Sequence, residues 1–260
     1  MHLEERLHEN VYLYSNVLSD PDRLLALVKE LDSVDSVRPV LPEWKFWFTN
    51  SEDGSTFGSL KLANLENLES LESERKEDVN WVVNEIQSAV KKLSQTFYKD
   101  YGYQTKPNYS RSVGVSMYRP GCAMGAHFDA QGGDESVEWS IIIYPNDDYE
   151  GGELSFIIRP YDLRNPKNGY LRPADDVNRP SNSDLIDFTI SPKKGQAVIF
   201  PPNHPYMHQV HLIKSGEKYI IPAFIYKPEF NIDDPKSREK YNYLSEYRTV
   251  GYPIKYLDED

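Results

Sequence analysis

His127 stands two residues before Asp129 in the stretch GAHFDA of this 260-residue chain. Side chains two apart on a β-strand point the same way, so an imidazole and a carboxylate there can converge on one metal ion. A third ligand is needed, and His204, His208 and His211 lie together further along. His204 is wedged between Asn203 and Pro205 in a turn, whereas His208 belongs to the alternating run MHQV. His211, an odd number of residues from His208, faces the other side of that strand. His208 is therefore the expected partner. Two histidines and one carboxylate fill one triangular face of an octahedron and leave three positions open, a ligand set of non-haem iron(II).

A cation completes the constellation. Lys214 follows His204 by ten residues, and Lys218 follows His208 by the same interval. Lys214 adjoins a Ser-Gly turn, where a side chain is normally solvated, but Lys218 opens the apolar run KYIIPAFIY and can enter a barrel interior. An ammonium there would neutralise the far carboxylate of an organic dianion held at the metal. The plain alternatives are a hydrogen-bonded surface pair at 127 and 129 and a strand-end lysine that reaches for solvent at 218.

These residues need a frame of strands. From Ser110 onward, short apolar runs (SVGVSMY, VEWSIIIYP, GGELSFII, GQAVIFP, MHQVHLI, KYIIPAFIY) are separated by Gly, Pro, Asn and Asp. No helical pattern lies between them, which points to an antiparallel sandwich or barrel rather than a parallel sheet. Upstream, LSDPDRLLALVKELDSV reads as a helix, with Ser19 or Asp20 as cap, Pro21 in the first turn, and Leu24, Leu25, Val28 and Leu31 on one face. In EDVNWVVNEIQSAVKKLSQTF, apolar residues at 79, 82, 83, 86, 90, 93 and 97 recur at offsets of three and four, marking a long helix with one buried stripe. The expectation is a single mainly β domain over 1–260: a helical support region at 1–110, a catalytic core at 111–226, and a polar tail at 227–260. A long polar insertion from about Arg159 to Ser191 exceeds ordinary loop lengths and is expected to close over the site.

Composition narrows the function classes. The formal net charge of −12 disfavours nucleic acid and anionic membranes as partners. Cys122 is the only cysteine, which excludes an intrachain disulfide and a zinc site built on several thiolates. The N-terminal MHLEERLHEN lacks an apolar core, and the longest apolar run falls far short of the ~20 residues that span a bilayer, so a soluble cytoplasmic protein is expected.

The sequence resembles the 2-oxoglutarate- and Fe(II)-dependent dioxygenases, in particular their prolyl 4-hydroxylase-like branch. The resemblance is carried by YRPG, HFD, IIIYPNDDYEGGELSF, PKKGQAVIF and HQVHLIKSGEKY, and covers about 111–226. It implies a double-stranded β-helix, the cupin-like jelly roll. It also implies that His127, Asp129 and His208 bind iron and act in catalysis, and that Lys218 pairs with the distal carboxylate of 2-oxoglutarate. Tyr144 matches a residue that hydrogen-bonds that carboxylate, and strand parity puts Ile142 and Ser140 on the same face as further pocket lining. Tyr118 matches a position beside iron and cosubstrate, and Gly151 and Gly152 a tight turn into the next strand. Pro145 replaces the usual Leu of the family's YLN element, and Pro222 interrupts the strand of Lys218. Neither donates a ladder hydrogen bond, so that strand is expected to end early or lie at an edge. Phe224 stands where the family often has Trp, which would reshape the substrate wall.

The resemblance implies an enzyme that uses Fe(II), 2-oxoglutarate and O2, with ascorbate as a further reductant, and hydroxylates a substrate C–H bond with release of succinate and CO2. The expected substrate is a prolyl residue of a peptide or protein. A free amino acid or other small molecule is the alternative within enzymes, and a non-catalytic metal-binding jelly-roll module the alternative outside them.

Overall fold

Asp20 starts the first helix: its side-chain Oδ1 accepts the Arg23 amide at 3.0 Å and its carbonyl accepts the Leu24 amide. The computed structural model describes residues 1–33, 45–49, 56–61, 73–110, 114–130, 134–158 and 186–241. The described elements are β1 (His2–His8), β2 (Val11–Ser15), α1 (Pro21–Ser33), β3 (Lys45–Thr49), β4 (Thr56–Lys61) and α2 (Ser73–Tyr101). They continue with β5 (Asn108–Tyr109), β6 (Gly114–Tyr118), β7 (Met124–His127), β8 (Val137–Tyr144), β9 (Glu150–Gly151), β10 (Leu154–Ile157) and β11 (Phe188–Ile190). The last are β12 (Gln196–Phe200), β13 (Met207–Val210), β14 (Ile213–Ser215), β15 (Lys218–Tyr226) and α3 (Pro235–Lys240).

Two antiparallel sheets hold the core. The larger runs β1-β2-β12-β8-β15-β6-β4-β3, with β5 also on β15, and the smaller runs β11-β10-β13-β7; β14 and β9 form a separate ribbon. From β6 to β15 the chain passes back and forth between them: β6, β8, β12 and β15 in the larger sheet, β7, β10 and β13 in the smaller. That alternation is the double-stranded β-helix, or jelly roll.

Strand parity sorts the apolar residues into two cores. Trp139, Ile141, Ile143, Ala197, Ile199, Tyr219, Ile221, Ala223 and Ile225 point out of the barrel and meet the helices. Ile142, Tyr144, Val198, Phe200 and Ile220, one residue out of phase, point inward and meet Leu154, Phe156 and Val210 of the smaller sheet. Both faces of β8, β12 and β15 are thus buried, which is why these strands read as nearly unbroken apolar runs. The α2 stripe of Val79, Val82, Val83, Ile86, Val90, Leu93 and Phe97 is buried in full against the outward face. Phe97 sits edge-on to Trp139 at 4.9 Å.

Two differences from the sequence reading stand out. The N-terminal region also contributes β1 to β4, which extend the larger sheet at both ends. β1, HLEERLH, is exposed over most of its length and is held by its ladder to β2, so it carries no apolar alternation to read. β15 is neither short nor an edge strand: it runs nine residues between β8 and β6. Pro222 is tolerated because β6 pairs only Lys218 to Ile220 and β5 only Ile225 and Tyr226, leaving one side of Pro222 without a described ladder partner. β8 does stop at Tyr144, immediately before Pro145. The insertion expected to act as a cover lies outside the described residues except for its end, which forms β11, and the tail is described only as far as Tyr241. Among the described residues, no helix is long and apolar enough to cross a membrane.

Leu93, fully buried on the α2 stripe, truncated to alanine is expected to lower the unfolding free energy by about 2–5 kcal/mol. Lys92→Ala, on the exposed side of the same turn, should leave the urea midpoint unchanged. Denaturation followed by circular dichroism measures both.

Candidate active site

β7 and β13 pair so that His127 lies directly opposite His208. Their rings stand 4.3 Å apart at 53°. Asp129 falls just beyond the end of β7, and its Oδ1 reaches back to 3.5 Å from His127 Nε2 and 3.6 Å from His208 Nε2. One ligand atom from each residue lies within 4.8 Å of the others, which makes this the group of possible metal ligands found among the described residues. Phe200, edge-on at 4.6 Å, and Phe156, tilted at 6.0 Å, wall in the His208 ring.

Burial, assisted by the adjacent His127, pushes His208 down to about 4, against the opposing pull of Asp129. Its imidazole is therefore neutral at ordinary pH, the form that donates to a metal. Burial by itself would raise Asp129, but His208, His127 and Ser140 outweigh it and hold the carboxyl well below the usual range. Two imidazoles and a carboxylate, buried and convergent, fit an iron(II) ion bound on one face. The other two histidines are elsewhere. His204 is exposed in a turn before a cis peptide bond to Pro205, and His211 turns away from the barrel, with Nε2 2.5 Å from Ser155 Oγ.

Lys218 opens β15 and is fully buried. Its Nζ donates to the Gly152 carbonyl at 2.6 Å and is surrounded by the rings of Tyr144, Tyr118 and Tyr149 at 5.2, 5.7 and 5.8 Å. No carboxylate of the described residues forms an ion pair with it. Burial pushes Lys218 down to about 7, with Glu153 opposing from a distance. Burial also raises the hydroxyls of Tyr118 and Tyr144, which stay protonated as hydrogen-bond donors. The Tyr118 hydroxyl already lies 3.4 Å from Met124 Sδ. On β8, Ser140, Ile142 and Tyr144 form one inward-facing row, with Ser140 at the Asp129 end and Tyr144 at the Lys218 end.

The turn that meets Lys218 is built for close approach. Gly151 and Gly152 have φ of +78° and +66°. A Cβ on Gly152 would strike the Ile213 side chain and press Lys218 Cδ at 3.1 Å. Asn146, next to Pro145, pins the preceding loop to β15: its Nδ2 donates to the Glu217 carbonyl at 2.8 Å and its Oδ1 accepts the Tyr219 amide at 2.9 Å. The sequence reading missed Tyr149. Its only signal was an aromatic residue just ahead of the Glu-Gly-Gly turn, which the 19 tyrosines of the chain made inconspicuous.

His208→Ala and Asp129→Ala are expected to weaken Co(II) binding by roughly 100-fold or more. His204→Ala and His211→Ala should remain within about twofold of wild type. Titration followed by visible absorption distinguishes the two classes, and a His204→Ala protein that lost the metal would show that the wrong histidine had been assigned.

Comparison with known proteins matches this frame. The family model described as the 2OG-Fe(II) oxygenase superfamily covers residues 113–226, the span from β6 to β15. No curated protein matches the sequence. Similar solved structures include an oxidoreductase of the 2OG-Fe(II) oxygenase family from Burkholderia pseudomallei, at 16% identity and TM-score 0.48 over 78% of each chain. A prolyl-4-hydroxylase from Pseudomonas putida is 14% identical, with TM-score 0.46 over 84% of this chain and 92% of that one. A viral collagen prolyl hydroxylase from Paramecium Bursaria Chlorella virus-1, in its 2OG complex, is 18% identical, with TM-score 0.46 over 85% and 97%. Residues 113–226, which carry the buried His-Asp-His group, match the model of the 2OG-Fe(II) oxygenase superfamily, and that group fits the iron(II) such oxygenases use.

Proposed function

We propose that this chain hydroxylates a prolyl residue of a peptide or protein, with His127, Asp129 and His208 holding iron(II) and Lys218 anchoring 2-oxoglutarate. The observation that carries the cosubstrate assignment is a buried ammonium with no carboxylate paired to it among the described residues, at the far end of the β8 row from the carboxylate of the histidine group. A buried charge of this kind is costly unless an anion arrives to pair with it. Iron(II) held by the histidine group would, with 2-oxoglutarate and dioxygen, supply the oxidising power for C–H hydroxylation, with succinate and CO2 as the other products.

The protein's own groups divide the work. The histidines and Asp129 present nitrogen and oxygen donors from one side and leave the opposite side free. Lys218 and the Tyr144 hydroxyl offer donors to the distal carboxylate, Tyr118 lies between the two ends, and Ile142 lines the wall and excludes water. Ser140 closes the row beside Asp129. The prolyl assignment draws support from the YRPG and Glu-Gly-Gly elements and from β15, where Pro222 and Phe224 face inward yet are only half-buried. An apolar edge there suits a peptide side chain.

Anaerobic loading with Fe(II) and 2-oxoglutarate, followed by air, should yield succinate from wild type and none from His208→Ala. Lys218→Ala should recover it only at raised 2-oxoglutarate. Supplying proline-containing peptides should stimulate turnover where free amino acids do not; the reverse result would overturn the peptide assignment.

Lys218 also sets a pH dependence. Below about 7 the ammonium is already charged, so binding the dianion needs no proton. Above that value, binding must take a proton up, and affinity is expected to weaken by about tenfold per pH unit at most. Calorimetry with an inert metal from pH 6.5 to 9, in buffers of differing ionisation enthalpy, reads both the slope and the proton. A flat profile would show that Lys218 is charged throughout.

A further inference from the structure

Ser140 interrupts an otherwise bulky apolar run, WSIIIY, in the strand that forms the floor of the site. It is fully buried, and its hydroxyl approaches Asp129 without forming a hydrogen bond of ordinary geometry. Buried hydroxyls are normally satisfied, and one left open beside a chemical centre marks a contact made in another state. Its surroundings identify that contact. Ser140 pairs across the sheet with Phe200, whose ring packs on His208 at 4.6 Å. It also lies within reach of the Asp129 carboxylate. Both histidine Nε2 atoms lie nearest the same carboxylate oxygen, Oδ1, at 3.5 and 3.6 Å. Oδ1 is therefore the oxygen turned toward the metal position, and Oδ2 is the one left to be oriented by something else.

We propose that Ser140 is a positioning residue that donates its hydroxyl hydrogen bond to Asp129 Oδ2 when the metal is bound, and so fixes which carboxylate oxygen the metal receives. The assignment rests on the reading of His127, Asp129 and His208 as metal ligands. Partners of this kind orient ligands and tune affinity without touching the ion. Serine suits the position because it places one short donor in a strand that must pack closely on both faces.

Four proteins test the proposal: wild type, Ser140→Ala, Ser140→Thr and Ser140→Val. Threonine and valine have nearly the same shape and differ in the hydroxyl, so that pair separates hydrogen bonding from packing. The probe is Co(II), read by its dissociation constant and its visible d–d bands, with 2-oxoglutarate affinity then measured on the Co(II)-saturated proteins. The expected result is Co(II) binding weakened about tenfold in Ser140→Ala and Ser140→Val, with altered d–d bands. Ser140→Thr should return close to wild type in both readouts, and 2-oxoglutarate affinity should stay within twofold throughout. Unchanged Co(II) affinity and bands in the two variants without a hydroxyl would overturn the proposal. So would weakened 2-oxoglutarate binding at unchanged Co(II) affinity, which would give the hydroxyl to the cosubstrate. Wild type that fails to bind Co(II) would overturn the metal-site reading itself, a result separable from either of these.

Discussion

The larger sheet has to be covered on both faces, and the rest of the structure follows from that constraint. A strand buried on one side only would alternate apolar and polar residues, whereas β8, β12 and β15 bury both sides and read as continuous apolar runs. The outward residues are closed off by the α2 stripe, chiefly through Leu93, Phe97 and their neighbours. With that face sealed, the inward face is free to give up apolar packing at a few positions. Ser140, Tyr118 and Lys218 are such positions, and each is affordable only because the surrounding wall is rigid and dry.

The electrostatics of the interior depend on keeping two opposite charges apart. Asp129 is stabilised at one end by the histidines that share its site, and Lys218 is held at the other by tyrosine rings and one carbonyl. Among the described residues no carboxylate pairs with Lys218. Tyrosine faces stabilise an ammonium weakly enough to leave it available. The double-glycine turn belongs to the same design, because its carbonyl can reach Nζ only where no Cβ stands in the way.

Much of this was legible in the residues. Offsets of three and four between apolar positions mark α2, and the period of two along MHQV separates His208 from His211. Turn chemistry favours Lys218 over Lys214 as the interior cation, and Lys218 is buried while Lys214 is exposed. The edge strands were not legible. β1 pairs through its backbone while most of its side chains face water, so its composition is that of a charged loop. Pro222 misled because a proline is judged by its own strand, whereas its cost depends on whether a neighbour needs its missing donor.

The sequence by itself determined which residues can bind a metal, which strands bury two faces and where the helix stripe lies, because these follow from side-chain chemistry and local periodicity. The tertiary structure alone decided that Asp129 reaches both histidines from beyond the end of β7. It also decided that Tyr118, Tyr144 and Tyr149 surround one ammonium, and that Ser140 comes to lie beside the carboxylate. Those facts depend on the register between strands and the approach of separate turns, and long-range pairing of that kind leaves no periodic trace along the chain.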